Sequence, residues 1–202
     1  MNLGNFRLKS MFEKGEDPIF YDEDNASERL AQLLFSYLPE NPLTPLVLVC
    51  IGTDRSTGDA LGPLVGSKVE EKHIHNFVLY GTLDEPVHAL NLEETIAHIY
   101  KQHHNPFVIA IDACLGKMQG VGSVIIGKGP SKPGAAMNKK LPSVGNMHIH
   151  GIVNIHGFME FFVLQNTRLN LVMKMADSIA NSIIKVDRYI TYKKENHHSS
   201  IL

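Results

Sequence analysis

Tryptophan is absent from this 202-residue chain, and cysteine nearly so, with Cys50 and Cys114 its only two thiols. Each sits at an apolar run, so the pair makes no disulfide framework and suits a reducing cytosol. Neither sign of charge dominates: 19 Lys and Arg stand against 21 Asp and Glu, for a formal net charge of -2. That balance, with no basic arm, argues against bulk attraction to nucleic acid or to an anionic membrane surface. Long apolar runs are also missing. No segment reaches the ~20 residues of a membrane span, and the N-terminal MNLGNFRLKSMFEKGEDP has mixed charge and no signal-peptide apolar stretch. There is no internal repeat. These absences lead to the expectation of a soluble, intracellular protein, and a 44% hydrophobic composition suffices for one domain with a sizeable core.

What is present is an alternation of patterns. DNASERLAQLLFSYLP predicts a helix, with Asn25 and Glu28 in capping-box positions and Leu30, Leu33, Leu34, Tyr37 and Leu38 at helical spacing. PLVLVCIG is apolar without alternation, as expected of a strand covered on both faces of a parallel sheet. ALGPLVGSKVEEK then predicts a helix, NFVLYG a second strand, NLEETIAHIYKQHH a helix with Asn91 and Glu94 as another capping box, and PFVIAIDA a third strand. Strand, helix, strand, helix, strand is what an open parallel sheet with right-handed crossovers produces. Two more strands, at VGSVIIGKG and within MHIHGIVNI, and a long amphipathic helix over TRLNLVMKMADSIANSIIKV complete an α/β fold. Its expected form is three-layer, a mostly parallel open sheet with helices on both faces. Residues 1–20 are expected to be a flexible segment, 21–192 a single domain and 193–202 a flexible tail. GPSKPGAAMNKKLPSVG has no periodicity and predicts an exposed loop, functional or flexible.

In such a sheet, ligands bind beyond the carboxyl ends of the strands. LVLVCIGTDRSTGDALGPLVG lies there, running from the first strand through Asp54, Arg55, Ser56, Thr57 and Asp59 into a helix. Pro63 is tolerated only in a first turn, so the helix should start around Gly58 or Asp59. Asp59 then either caps the helix or faces a ligand. A phosphate loop fails on spacing and charge, because Asp59 stands where a P-loop carries Lys. The third strand ends in AIDACLG and brings Asp112 to the same edge. With the usual 2-1-3 strand order, Asp59 and Asp112 come from neighbouring strands, about 4.8 Å apart. Two acids there are separate turn carboxylates, or they share a proton, or a cation bridges them. His148 and His150, alternate residues of GNMHIHGIVNIHG, project to one face and could be adjacent ligands or ordinary strand histidines. His156 follows them. Cys114 has no identifiable partner base and is expected to be a packed thiol.

CIGTDRSTGDALGPLVG together with VIAIDACLG resembles the germination protease of spore-forming bacteria, in which a loop ends in an Asp-Ala-Leu-Gly-Pro run and a later strand in Ile-Asp-Ala. The smaller YyaC family of spore proteases is a nearer likeness. The resemblance is strongest over residues 46–66 and 106–116 and extends through YGTLDEP and PGAAMNKK. It implies the phosphorylase/hydrolase-like fold shared with the hydrogenase maturation proteases. By position, Asp59 and Asp112 match the germination protease's catalytic acids. They also match two nickel-binding acids of the maturation proteases, whose histidine corresponds to His148 or His150, though NMHIHG does not reproduce its local motif.

The function this implies is an endopeptidase of sporulating bacteria, acting in sporulation or germination in the cytoplasm or forespore, with Asp59 and Asp112 as the catalytic pair. Asp54, Arg55, Ser56, Thr57 and Glu85 would bind substrate. The metal option would place nickel or zinc at Asp59 and Asp112 with His148 and His150. The expected partner is a protein or peptide substrate, with no direct nucleic-acid or membrane contact. The alternative is a non-catalytic peptide-binding or scaffold protein of spore assembly; a small-molecule hydrolase is a third. A catalytic pair should keep one carboxyl at a raised pKa, which a binder does not need.

Overall fold

The computed structural model describes residues 18–134 and 141–199. The strands are β1 (Ile19–Phe20), β2 (Leu46–Cys50), β3 (Phe77–Tyr80), β4 (Phe107–Gly116), β5 (Ser123–Lys128) and β6 (Met147–Ile155). The helices are α1 (Ala26–Tyr37), α2 (Leu61–Glu70), α3 (Leu92–Gln102), the short α4 (Glu160–Gln165) and α5 (Leu169–Ser199). The six strands form one sheet in the order β1-β5-β6-β4-β2-β3. β2 pairs in parallel with β3 and β4, and β4 with β6, while β5 runs antiparallel to both β6 and β1.

Helices cover both faces because the central strands are apolar on both. Leu48, Cys50, Ile109, Ile111 and Ile149 pack with Leu30 and Leu34 of α1, Leu61 and Val65 of α2, and Met175 and Ile179 of α5. Val47, Val49, Val108 and Ala110 face the other way, against Leu92 and Ile99 of α3. Each large apolar side chain buried this way contributes about 1.5–3 kcal/mol. A strand serving two cores cannot alternate, which is why PLVLVCIG does not.

Several boundaries differ from expectation. Ile19 and Phe20 are paired with β5, so part of the expected flexible lead-in belongs to the sheet; residues 1–17 lie outside the described residues. α5 continues past residue 192 to Ser199, through most of the expected tail. α2 begins at Leu61, two or three residues later than the expected Gly58 or Asp59, after a turn in which Ala60 N–H donates to Ser56 O. Neither capping box forms. Glu28 instead meets Lys185 of α5, and Asn91 Oδ1 turns back to accept from the His88 N–H at 2.8 Å. β4 runs three residues past PFVIAIDA, because β6 continues to pair with it beyond the end of β2. The segment expected as an irregular loop is pinned by an antiparallel bridge between Ser131 and Val144, both buried; its residues 135–140 lie outside the described residues.

Candidate active site

β2, β3, β4 and β6 are parallel, so their carboxyl ends share one edge of the sheet. After β2 the chain turns at Gly52, whose φ is +148° and whose missing Cβ would lie 1.9 Å from Asp59 O. No other residue fits this close approach. Thr53 N–H donates to Asp59 O at 3.1 Å, folding the loop onto itself, and Gly58 N–H donates to Leu164 O of α4 at 2.8 Å. Asp59 is therefore fixed through its backbone. Its side chain does not cap α2, since Ala60 is the N-cap position and no side-chain cap bond forms there. Burial raises the Asp59 pKa, and nearby Ser56 draws it partly back.

Asp112 is the sixth of ten residues in β4, one past Ile111, the last to pair with β2. It is a strand residue, not a turn carboxylate. Burial holds its pKa well above the ordinary carboxylate range, the charge of Asp59 raises it further, and the Ala113 N–H only partly compensates. The two acids thus feel one another. Two residues on, the half-buried Cys114 thiol is pushed up by burial and then by Asp112, so it is protonated and unsuited to nucleophilic attack.

The proposed substrate-binding residues separate. Asp54 and Arg55 are exposed and Thr57 is half-buried on the loop. Ser56 is buried, with a hydroxyl that has no partner at hydrogen-bond geometry. Glu85 is exposed, and its backbone closes a turn: its N–H donates to Thr82 Oγ1 at 3.0 Å and its carbonyl accepts from Thr82 N–H at 3.2 Å. No bond of its side chain to Asp59 or Asp112 is present among the described residues.

His148 and His150 do share a face, with rings stacked 4.3 Å apart. In register, Asp112 is the β4 partner of His150. His150 is buried, and its Nε2 lies 2.9 Å from Ser131 Oγ, while its Nδ1 has no partner. Burial first, then the neighbouring His148, lowers its pKa to about 3, so it is neutral at pH 7. His148 Nδ1 donates to Gly129 O at 3.0 Å. His156 is exposed beyond β6. Among the described residues no three His, Cys, Asp or Glu side chains come together as a group able to hold a metal ion. Each histidine has one ring nitrogen engaged within the protein and the other left over, as ligating histidines do, but a nickel or zinc site needs at least three protein ligands, and no such group is assembled among the described residues.

Sequence reasoning missed two features of this edge. Ser131 lay in a stretch without periodicity, and its pairing to His150 spans 19 residues. The second is the run GFMEFFVL after β6, whose three phenylalanines in five positions were a visible signal.

Comparison with known proteins is informative here. The family described as "Protein of unknown function (DUF1256)" matches residues 18–182. The chain is 52% identical over 181 residues to the "Uncharacterized protein YyaC" of Bacillus subtilis (strain 168), covering 90% of this chain and 88% of that protein. Among solved structures it is similar to a [NiFe] hydrogenase maturation protease HycI from Thermococcus kodakarensis KOD1, with a TM-score of 0.52 at 18% identity over 77% of this chain and 99% of the other. The Hydrogenase 3 Maturation protease matches at a TM-score of 0.43, 17% identity, and 69% and 89% coverage. The HycI likeness shows a shared α/β fold.

Proposed function

We propose, from the premise that this chain belongs to the DUF1256 family together with YyaC of Bacillus subtilis, that it hydrolyses peptide bonds with Asp59 and Asp112 as an acid/base pair. The observation that carries the proposal is placement: Asp112, one residue past the last β4 residue paired with β2, and Asp59, on the loop that leaves β2, come to one sheet edge, where burial and the charge of Asp59 raise Asp112. Such a pair is a chemical resource because its members take opposite roles. Asp112, the more strongly raised, keeps its proton and donates it to the scissile carbonyl oxygen. Asp59 removes a proton from the attacking water as the C–O bond forms. The tetrahedral intermediate then collapses: the C–N bond breaks, the amine takes the proton held by Asp59, and the carbonyl re-forms as its hydroxyl proton returns to Asp112. The balance is one water consumed and both carboxyls restored.

Asp54, Arg55 and Thr57 stand on the same loop to contact the substrate backbone, and buried Ser56 tunes Asp59. A fold shared with a maturation protease supports peptide hydrolysis over the small-molecule alternative. A role in sporulation or germination, in the cytoplasm or forespore, is supported by the resemblance of GTDRSTGDALGP and AIDACLG to the germination protease.

The test is digestion of spore-protein extract by wild type, Asp59→Asn and Asp112→Asn, with melting temperatures as the folding control. Either substitution keeps the side-chain size and removes proton transfer, so cleavage should fall at least ~10²-fold. If wild type cleaves nothing between pH 4 and 9, yet captures peptides that both variants also capture, the chain is a scaffold and not a protease.

A further inference from the structure

We propose that the apolar rim formed by Ile155, Phe158, Met159, Phe161 and Phe162 is the selecting subsite of the Asp59 and Asp112 site, and that it takes an extended peptide segment bearing large apolar side chains beside the bond to be cut. The inference rests on the protease proposal above and names the class of substrate.

Phe158 is 99% exposed, Met159 64%, Phe162 54%, Phe161 48% and Ile155 40%. Scattered exposed apolar residues are ordinary, but here five fall within residues 155–162, the rings of Phe161 and Phe162 lying 6.1 Å apart, and such a concentration marks an interaction surface. Its position is specific. Ile155 ends β6, the parallel neighbour of the strand carrying Asp112, five residues past His150, the register partner of Asp112, so the rim lies on the carboxyl side of the acids. The Gly58 N–H donates to Leu164 O, which joins α4 directly to the loop that carries Asp59.

The exposure is not a product of looseness. Leu164 is buried in the main core, Asn154 Nδ2 donates to Val163 O at 3.2 Å, and Thr167 Oγ1 donates to the same carbonyl at 2.9 Å. One side of α4 is tied down while the other presents aromatics to solvent. Met159, at the helix start, is held left-handed at φ 60°, ψ 47°, a conformation costing a non-glycine residue about 1–2 kcal/mol. Strain of this kind collects at ligand clamps.

Charge and area narrow the occupant. From Gly157 to Thr167 the sole ionisable side chain is Glu160, so nothing there matches a strongly charged ligand. A large side chain offers ~200 Å², so at these exposures the five supply about 600 Å². A stable interface of ~800 Å² per partner is little more than half apolar, so area alone would also admit a second copy of this chain, and it is the attachment of α4 to the Asp59 loop that points to substrate. The area suits a short peptide, and the Gly58 N–H to Leu164 O bond sets α4 against the residue preceding Asp59.

The experiment uses two fluorescein-labelled 12-residue peptides, identical except for a central Leu-Phe-Phe in one and Ser-Ser-Ser in the other. Their binding is measured by anisotropy on the full chain carrying Asp112→Asn, which holds the site without cutting. The apolar peptide should bind at least ~10-fold more tightly than the serine peptide, and adding Phe158→Ser with Phe162→Ser should remove that preference. Ile155→Thr with Phe161→Ser, made separately, should weaken it in the same direction, and circular dichroism should report an unchanged fold for both. Equal binding of the two peptides, no binding of either, or an unaltered preference in both folded double variants overturns the proposal. So does a dimer by sedimentation that Phe158→Ser with Phe162→Ser makes monomeric while peptide binding is unchanged. If the unsubstituted chain prefers the apolar peptide and cuts neither it nor spore extract, the protease proposal fails and the subsite stands.

Discussion

At Asp112, burial and a neighbouring charge push in the same direction, and both follow from the position of one side chain next to the end of β2. An unfolded aspartate ionises near 3.9, whereas the folded carboxyl stays protonated well above that. As pH rises through this interval the unfolded state gives up a proton that the native state retains, so stability declines until Asp112 ionises in the native protein. Asn at this position has no proton to lose. Asp112→Asn should therefore melt several degrees above wild type at pH 7, the gap closing by about pH 4, while cleavage falls. Differential scanning calorimetry across pH checks this, and equal melting at pH 7 would refute the raised pKa. His150 works in the opposite sense. It stays neutral down to about pH 3 in the folded chain, whereas an unfolded histidine protonates near 6.5. Its contribution is complete above pH 6.5 and is lost as pH falls toward 3, with a slope of at most ~1.4 kcal/mol per pH unit. Urea titrations of His150→Gln should lack that slope; a slope identical to wild type would place the acid sensitivity elsewhere. The two acids were legible as residues because the family resemblance marked both; residue type alone left helix cap and turn carboxylate open. Their pKa shifts were not, since burial is decided by segments far apart in the chain, and the Ser131 to His150 contact was hidden for the same reason.

Among the elements, type was legible and termini were not. Every strand and helix expected between residues 25 and 192 forms, because the apolar periodicity that announces an element is also what buries it. Capping boxes failed because the polar ends found tertiary partners first, as Glu28 did in Lys185. The short α4 escaped notice because six residues are too few to show a period. It is nonetheless the element that fixes the loop of Asp59. Gly58→Ala tests this: its Cβ would lie 2.8 Å from Leu164 Cδ2 and 3.0 Å from Leu164 O, so either α4 or the loop must move. Peptide cleavage should drop about 10-fold or more, since ~1 Å misplacement is felt strongly in catalysis, while far-UV circular dichroism stays unchanged. Full activity would mean that α4 does not position the site. A second tie is structural. Buried Asp187 of α5 accepts from the backbone N–H groups of His75 at 3.1 Å and Asn76 at 2.7 Å, docking the turn before β3. Asp187→Ala strands those donors, at about 1–3 kcal/mol each if they stay buried, and should lower the melting temperature by several degrees without changing the pH profile of cleavage. A melting temperature equal to wild type would show that water replaces the carboxylate at no cost.

For the whole molecule, the strand order was readable because parallel strands need crossovers of one hand, which leaves few arrangements. β2, the first of the expected strands, does lie between β3 and β4, and the sheet edge this creates collects Asp59, Asp112 and His150. Metal chemistry could not be read from the same pattern, because ligand geometry depends on where each ring nitrogen points. One nitrogen of His148 is taken by Gly129 O and one of His150 by Ser131, and no three-ligand group forms among the described residues. An acid pair working alone makes a sharp prediction. Protein dialysed against EDTA should retain its cleavage activity, and 100 μM Ni²⁺ or Zn²⁺ should leave its melting temperature unchanged. A folded-state site with a Kd near 1 μM would instead add about 2.7 kcal/mol at that concentration. For a chain of this length that is a rise of roughly 5–10 °C, well outside measurement error. If such a rise appears and His150→Gln abolishes it, the histidine binds the ion through its unpartnered Nδ1, and the carboxyls act as its further ligands. Should the rise persist in His150→Gln, the ion binds elsewhere on the protein and the metal-free pair is retained.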